Sequence, residues 1–301
     1  MDLSRFGAAP PWSLGVEEEL MLVDAETLEP ARDGYSRVFG EATERIKPEL
    51  FESFVEITTP VVESAEEIER ELRALRHEVA ERAAAHGYAL LATGSHPSAR
   101  GQLPIVPVER YVRMKAKLGQ RLCRQRVCGL HVHVAVPDPD TCLRAFEGVM
   151  PQLPALLAAS ANSPYWDGEE SGWRSIRSQI LLEMPTGGTP PVLRSWDDWQ
   201  AASRGDSTRR HWDAWPRPEY GTLEVRVMDQ PTSLRRTTQL AAEVQRLVRE
   251  AAEFDGGPLD RSEYEAARQD AAREGGGPEA ERQLELGPAA AAREIAARTL
   301  G

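Results

Sequence analysis

The stretch Gly129-Leu130-His131-Val132-His133-Val134-Ala135-Val136-Pro137 constrains the fold more than any other part of the chain. It alternates without a break, so Leu130, Val132, Val134 and Val136 point to one side of a strand and His131, His133 and Ala135 to the other. One face belongs to a core, and the opposite face presents two imidazoles at i and i+2. Three further segments repeat the design with charged residues: residues 12–24 with Glu17 and Glu19, residues 52–59 with Glu56, and residues 219–228 with Glu224 and Arg226. A sheet that gathers acids and histidines on one face needs positive charge there, most simply metal ions.

The remaining pattern predicts an α+β architecture, with helices covering the other face of the sheet. Residues 89–93 read as a further strand. Ser64 with Glu67 three residues on is a capping box, and it opens a helix to about Ala85 with Leu72, Leu75 and Val79 on one stripe. Residues 109–126, a segment capped by Asp140 and ending at Val149, and residues 153–161, 175–183 and 232–254 also read as helices. Residues 184–218, rich in Pro, Gly, Trp and Arg, read as loop. After Gly256-Gly257-Pro258 the chain is rich in Ala, Arg and Glu, which predicts a weakly packed helical tail broken near Gly275-Gly276-Gly277. The expected division is therefore a main domain over 1–254 and a reduced helical C-terminal tail over 255–301.

Glu17 and Glu19 share a strand face roughly 7 Å apart. Two ionised carboxylates at that distance repel by about 2 kcal/mol at an effective dielectric near 20. A divalent cation removes that cost, whereas a solvated acidic edge simply tolerates it. Glu18 conflicts with both readings, because it lies on the face of Val16, Leu20 and Leu22. It requires an arginine partner, or a twist that breaks the alternation. His131 and His133 have a spacing seen in zinc sites, but hard oxygen ligands without a thiolate favour magnesium or manganese.

A net charge of −12 argues against nucleic acid or an anionic membrane as partner. No G-x-G-x-x-G or G-x-x-x-x-G-K-[ST] occurs, so the common nucleotide-binding loops find no support. Cys123, Cys128 and Cys142 form no C-x-x-C, which points to a reducing cytoplasm rather than a disulfide framework. The N-terminus lacks a signal-peptide apolar run, and the longest apolar stretch, around 153–161, is too short to span a bilayer.

Taken together, the motifs resemble the bacterial carboxylate–amine ligases of glutamate–cysteine ligase type 2. The stretches that carry the likeness are Gly15-Val16-Glu17-Glu18-Glu19, Val55-Glu56-Ile57-Thr58-Thr59-Pro60, Gly94-Ser95-His96-Pro97, Cys128 to Val134, Ser160-Ala161-Asn162-Ser163-Pro164, Gly172 to Arg177 and Gly221 to Arg226. The resemblance implies a fold like glutamine synthetase and the guanidino kinases: a curved, mainly antiparallel sheet with its site on the concave face and helices on the convex one. It implies a reaction in which ATP phosphorylates a carboxylate, typically the γ-carboxylate of glutamate, and an amine then displaces phosphate to form an amide. It further implies Glu17, Glu19, Glu56 and Glu224 as Mg²⁺ (or Mn²⁺) ligands. Arg226, His131 and Glu224 would be catalytic, and His131, His133, Arg177 and Arg226 would contact ATP. Asn162, Arg174 and Trp166 would contact substrate. Small-molecule partners and a homodimer are the corresponding expectations. The loops around Trp166, Trp173, Trp196 and Trp199 would close over the site as a lid. Two other readings use the same residues: a metal-dependent amidohydrolase that needs no ATP, and a non-catalytic nucleotide-binding homologue.

Overall fold

Seven strands pair into one sheet: β1 (Leu14–Asp24), β2 (Ile46–Pro48), β3 (Phe54–Thr58), β4 (Tyr88–Leu91), β5 (Gly129–Ala135), β6 (Ala214–Arg217) and β7 (Thr222–Asp229). The structure is a computed structural model that describes residues 1–185, 187–203 and 211–301. Strand order is β6-β7-β5-β1-β3-β2, with β4 paired to the far half of β1, and every pairing is antiparallel. The alternation read from the sequence sets the two faces. Val16, Leu20, Val55, Ile57, Leu130, Val132, Val134, Leu223 and Val225 are buried on one side. Helices α1 (Ala65–Ala84), α3 (Pro139–Val149) and α5 (Leu234–Ala251) pack there. Helix α2 (Glu109–Leu118) lies elsewhere, at the polar face, and α4 (Leu153–Ser160) packs against β7. The architecture is α+β, as expected.

Glu18 does point into the core, at 0% exposure, and its partner is an arginine. Arg76 of α1 donates from Nε and Nη2 to the two carboxylate oxygens at 2.8 and 2.6 Å. Gln230 and Thr237 donate to the same carboxylate. The remaining Arg76 nitrogen donates to the carbonyls of Thr232 and Thr299. The charge conflict is thus resolved by pairing and not by a twist in β1.

Several expected boundaries move, each for a local reason. The capping box holds: Ser64 Oγ accepts from Glu67 N at 3.2 Å, while the Glu67 carboxylate reaches back to Glu63 N. The helix cap near residue 140 is Asp138, followed by Pro139 at the first helical position, and not Asp140. The helix expected over 109–126 breaks at Gly119, whose φ of +57° ends α2 and restarts a short turn at Gln120–Cys123. The segment expected as loop over 184–218 contains a helix at Trp196–Ala202 and the strand β6. Residues 204–210, and Thr186, lie outside the described residues. Pro216 disguised β6, yet β6 is an edge strand, where a missing amide costs no ladder bond.

The C-terminal segment forms α6 (Arg261–Glu274), α7 (Pro278–Leu286) and α8 (Pro288–Arg298). Its packing is polar but not weak. Arg268 pairs with Asp213 at 2.6 Å, Gln283 donates to Asn162 Oδ1 at 2.6 Å, Glu279 accepts from the amides of Thr232 and Ser233, and Thr299 accepts from Ala92 N. Composition hides such contacts, because they use buried hydrogen bonds in place of large apolar side chains. Among the described residues no helix is long and apolar enough to cross a membrane.

Candidate active site

Strand register brings the separated motifs together. β7, β5, β1 and β3 are consecutive neighbours about 4.8 Å apart. Glu224 lies opposite His133, Glu17 opposite His131, and Glu19 opposite Glu56. All of these side chains belong to the face away from α1, α3 and α5, and they line one cavity of about 230 Å³. Arg226 lines it too. Sequence reasoning missed the other lining residues Lys47, Glu49, Arg110, Tyr111, Met114, His211, Arg217 and Tyr220. Lys47 carried a signal, as one of only three lysines in the chain. Arg217 ends the short edge strand β6 and Tyr220 sits in the turn before β7, where no alternation marks them.

The cavity is a dense charge network. Glu224, 1% exposed, is held by Arg226 and by Arg217 Nη1 at 2.8 Å, with His133 Nε2 at 3.5 Å. Glu17 lies 3.3 Å from His131 Nδ1 and 3.7 Å from His133 Nε2. Glu19 accepts from Gly129 N at 2.5 Å and lies 3.8 Å from His131 Nε2. Glu56 pairs with Lys47 at 3.2 Å. Burial works against the ionised form of Glu17, but the hydrogen bond from His131 and the charge of His133 outweigh it and bring its carboxyl down to about 2. Burial likewise opposes ionisation of Glu224, and the Arg226 and Arg217 guanidiniums overcome it, so its carboxyl stays well below the usual range. Glu56 goes the other way, pushed up to about 7 by burial and then by the charge of Glu17. Glu49 is pushed up to about 8 by burial and the charges of Glu19 and Glu56.

One ligand atom each from Glu17, His133 and Glu224 lies within 4.8 Å of the others, a spacing that suits a shared cation. Among the described residues His131 Nε2, buried beside Glu19, has no hydrogen-bond partner. The donor set, mostly carboxylate oxygen with imidazole and no thiolate, suits a hard divalent ion. Glu49 and Glu56 give a pH signature. Their folded values lie above the unfolded carboxyl value, so the stability they contribute is full below about pH 4.5 and is lost as pH rises through 7 and 8. His96 and His211, lowered to about 4 and about 3, chiefly by burial, act only below about pH 6.5. In a chelator the melting temperature is therefore expected to fall between pH 6.5 and 8.5. The Glu49→Gln/Glu56→Gln double variant should reduce that slope and leave the share of His133, which burial lowers but the charges of Glu224 and Glu17 raise above its ordinary value. An unchanged slope would show that these carboxyls do not titrate there.

Four residues expected at the site do not line the cavity. Asn162, 0% exposed, donates to Gln230 O and Thr232 Oγ1 and accepts from Gln283. Arg174 pairs with Glu281 at 2.5 Å. Trp166 lies under the Arg126 guanidinium, 4.5 Å away, beside a small crevice that includes His96. Arg177 is buried beneath β5 and β7. The expected lid residues are engaged elsewhere as well. Trp199 packs on Trp215 and Trp196, and Trp173 lies under Arg273.

A second cavity of about 560 Å³ adjoins the first, sharing Glu17, Lys47, His133 and Tyr220. Its other walls are largely apolar, with Ala8, Ala9, Leu14, Val61 and Ala135. The site is therefore a charged chamber opening on an apolar one.

Comparison with known proteins converges on one family. The family described as glutamate-cysteine ligase family 2 matches residues 13–298. A protein of Rubrobacter xylanophilus named "Putative glutamate--cysteine ligase 2-1" is 38% identical over 259 residues, which is 82% of this chain and 69% of that protein. Among solved structures, a bifunctional glutathione synthetase from Pasteurella multocida superposes with a TM-score of 0.63 at 17% identity. It covers 96% of this chain, and the chain spans 51% of its length. A glutamate–cysteine ligase from Francisella tularensis, in complex with AMP, gives 0.56 at 14% identity, over 92% of this chain and 73% of that one. At those identities the structures bear on the fold alone.

Proposed function

The chain belongs to glutamate-cysteine ligase family 2, and from that membership together with its charged chamber we propose that it is an ATP-dependent carboxylate–amine ligase. The observation that carries the reading is the convergence of Glu17, Glu19, Glu56 and Glu224 with His131, His133 and Arg226 on one cavity. In the proposed reaction the γ-phosphoryl group of ATP passes to a carboxylate oxygen and ADP leaves. An amine nitrogen then attacks the acyl carbon, the bond to phosphate breaks, and an amide forms. Glutamate as the acid and cysteine as the amine are the pair that the family name suggests.

Phosphoryl transfer asks the protein mainly for positioning and charge neutralisation. Glu17, His133 and Glu224 would hold a Mg²⁺ or Mn²⁺ ion, with Glu19, Glu56 and His131 as further ligands, and such an ion supplies neutralisation of the triphosphate charge. Arg226 and Arg217 keep their guanidiniums in the chamber through Glu224, where a fork can meet two phosphate oxygens. The apolar chamber is within the size range of small-molecule pockets and would take the base of the nucleotide.

The test is phosphate release from Mg·ATP across a panel of acids and amines, with amide formation followed in parallel. The reading expects release that depends on both acid and amine, matched by amide. Amide cleavage without ATP would favour a hydrolase. Stabilisation by Mg·ATP without turnover would favour a binding protein.

A further inference from the structure

Arg177 is an unusual residue to bury. It is 3% exposed, and among the described residues no carboxylate lies within ion-pair distance of its guanidinium. Its donors go instead to two backbone carbonyls, those of Arg226 at 3.2 Å and Val227 at 3.4 Å. Those residues stand where the ladder between β5 and β7 loses register: Val225 faces Val132, but the next pair is Met228 with Leu130. Arg226 and Val227 together oppose one residue, His131, and so form a bulge. Bulges re-aim the side chains they carry, and this one carries Arg226.

The guanidinium reaches the bulge by passing over Gly129, the first residue of β5. A Cβ built there would meet Arg177 Nη2 at 2.1 Å. Gly129 therefore does a second job beyond its amide bond to Glu19. Arg177 lies in the first turn of the short helix Ile176–Leu181, where its amide donates to Ser163 Oγ at 3.1 Å. Ser163 and Ser175 in turn donate to Asp229 at the end of β7, the charged group that faces Arg177 from that strand.

We propose that Arg177 is a positioning residue that occupies the open carbonyls of the β7 bulge through the gap left at Gly129 and thereby sets the direction of Arg226 into the chamber. It touches neither substrate nor nucleotide. This rests on the ligase reading only in what Arg226 is for. The fixing of the bulge stands apart from it.

Two measurements test the proposal on Arg177→Met, Arg177→Lys and Gly129→Ala. The first is amide hydrogen exchange, which needs no turnover. The amides of Arg226, Val227 and Met228 should lose protection by at least about 10-fold, one RT ln 10 step, while Leu223 to Val225 keep theirs. The second is a double-mutant cycle on ligase activity with Arg226→Met. Arg177→Met alone should lower kcat by about 100-fold with little change in the KM for ATP. Combined with Arg226→Met it should add less than about 3-fold, because the direction of an absent side chain no longer matters. Gly129→Ala should reproduce Arg177→Met, and Arg177→Lys should recover neither protection nor rate, since one ammonium cannot bridge two carbonyls in the same geometry. Bulge protection left intact, or losses that multiply in the double variant, would overturn the proposal. A wild type that releases no phosphate with any acid and amine would sink the ligase reading instead, and the exchange result would still decide the role of Arg177.

Discussion

Glu224→Gln is expected to lower acid- and amine-dependent phosphate release by about 1,000-fold or more, with cooperative unfolding retained. The reason is the position of one charge. Glu224 is almost wholly enclosed, and its carboxylate holds Arg226, Arg217 and His133 at once while contributing one of three atoms grouped closely enough to share a cation. Glutamine keeps the shape and one acceptor, but it removes the negative charge that both arginines and a cation need. Preorganised charge in a water-poor chamber is where a single change costs most in rate. Phosphate assays on the purified variant, alongside its melting curve, check this. Activity near wild type would remove Glu224 from the reacting centre.

The largest effect on stability is expected from Arg76→Met, about 3–5 kcal/mol by denaturant titration. The substitution leaves the Glu18 carboxyl at 0% exposure without its cationic partner and, among the described residues, with only the side chains of Gln230 and Thr237 to hold it. It also frees the carbonyls of Thr232 and Thr299, so α8 should loosen where its end meets the sheet. The double variant Glu18→Leu/Arg76→Met should regain much of the loss, because two apolar side chains need no pairing. A cost below about 1 kcal/mol for Arg76→Met would mean that the pair is not enclosed as described.

The parts of this molecule legible in its sequence are those where one face of an element differs from the other. Strict alternation in 129–137 gave the position of β5 and the faces of both histidines. Alternation in β1 likewise exposed Glu18 as a charge on the wrong side, which called for either an arginine partner or a twist in the strand, and Arg76 is that partner. What alternation cannot give is pairing partners. That β7 adjoins β5, and that β3 reaches β1 on its other side, are facts of register, and the grouping of Glu17, His133 and Glu224 depends on them. β6 escaped because a four-residue edge strand with Pro216 has no period to read.

The expectations for Asn162, Arg174, Trp166 and Arg177 teach a different lesson. Resemblance to a family marks a stretch as shared, but it does not say whether the stretch touches a ligand or holds the scaffold. Ser160–Pro164 and Gly94–Pro97 meet each other through Thr93, Gly94, Ser95, Asn162 and Tyr165, a web of buried hydrogen bonds behind the sheet ends. His96 is held apart from that web, its Nε2 on Leu28 O and its Nδ1 accepting from the amides of Ser98 and Ala99. Such residues are as demanding of identity as ligand contacts, because a buried polar group with a missing partner costs about 1–3 kcal/mol.

The proposed reaction requires that glutamates far apart in sequence hold a divalent ion together. Titration of Mn²⁺ into the protein with a non-hydrolysable ATP analogue, followed by electron paramagnetic resonance, measures that. Bound Mn²⁺ should appear in the wild type and in a Glu281→Gln control, and Glu17→Gln and Glu224→Gln should each weaken it at least about 10-fold. Equal Mn²⁺ binding in all four proteins would contradict the shared ion site and the reaction built on it.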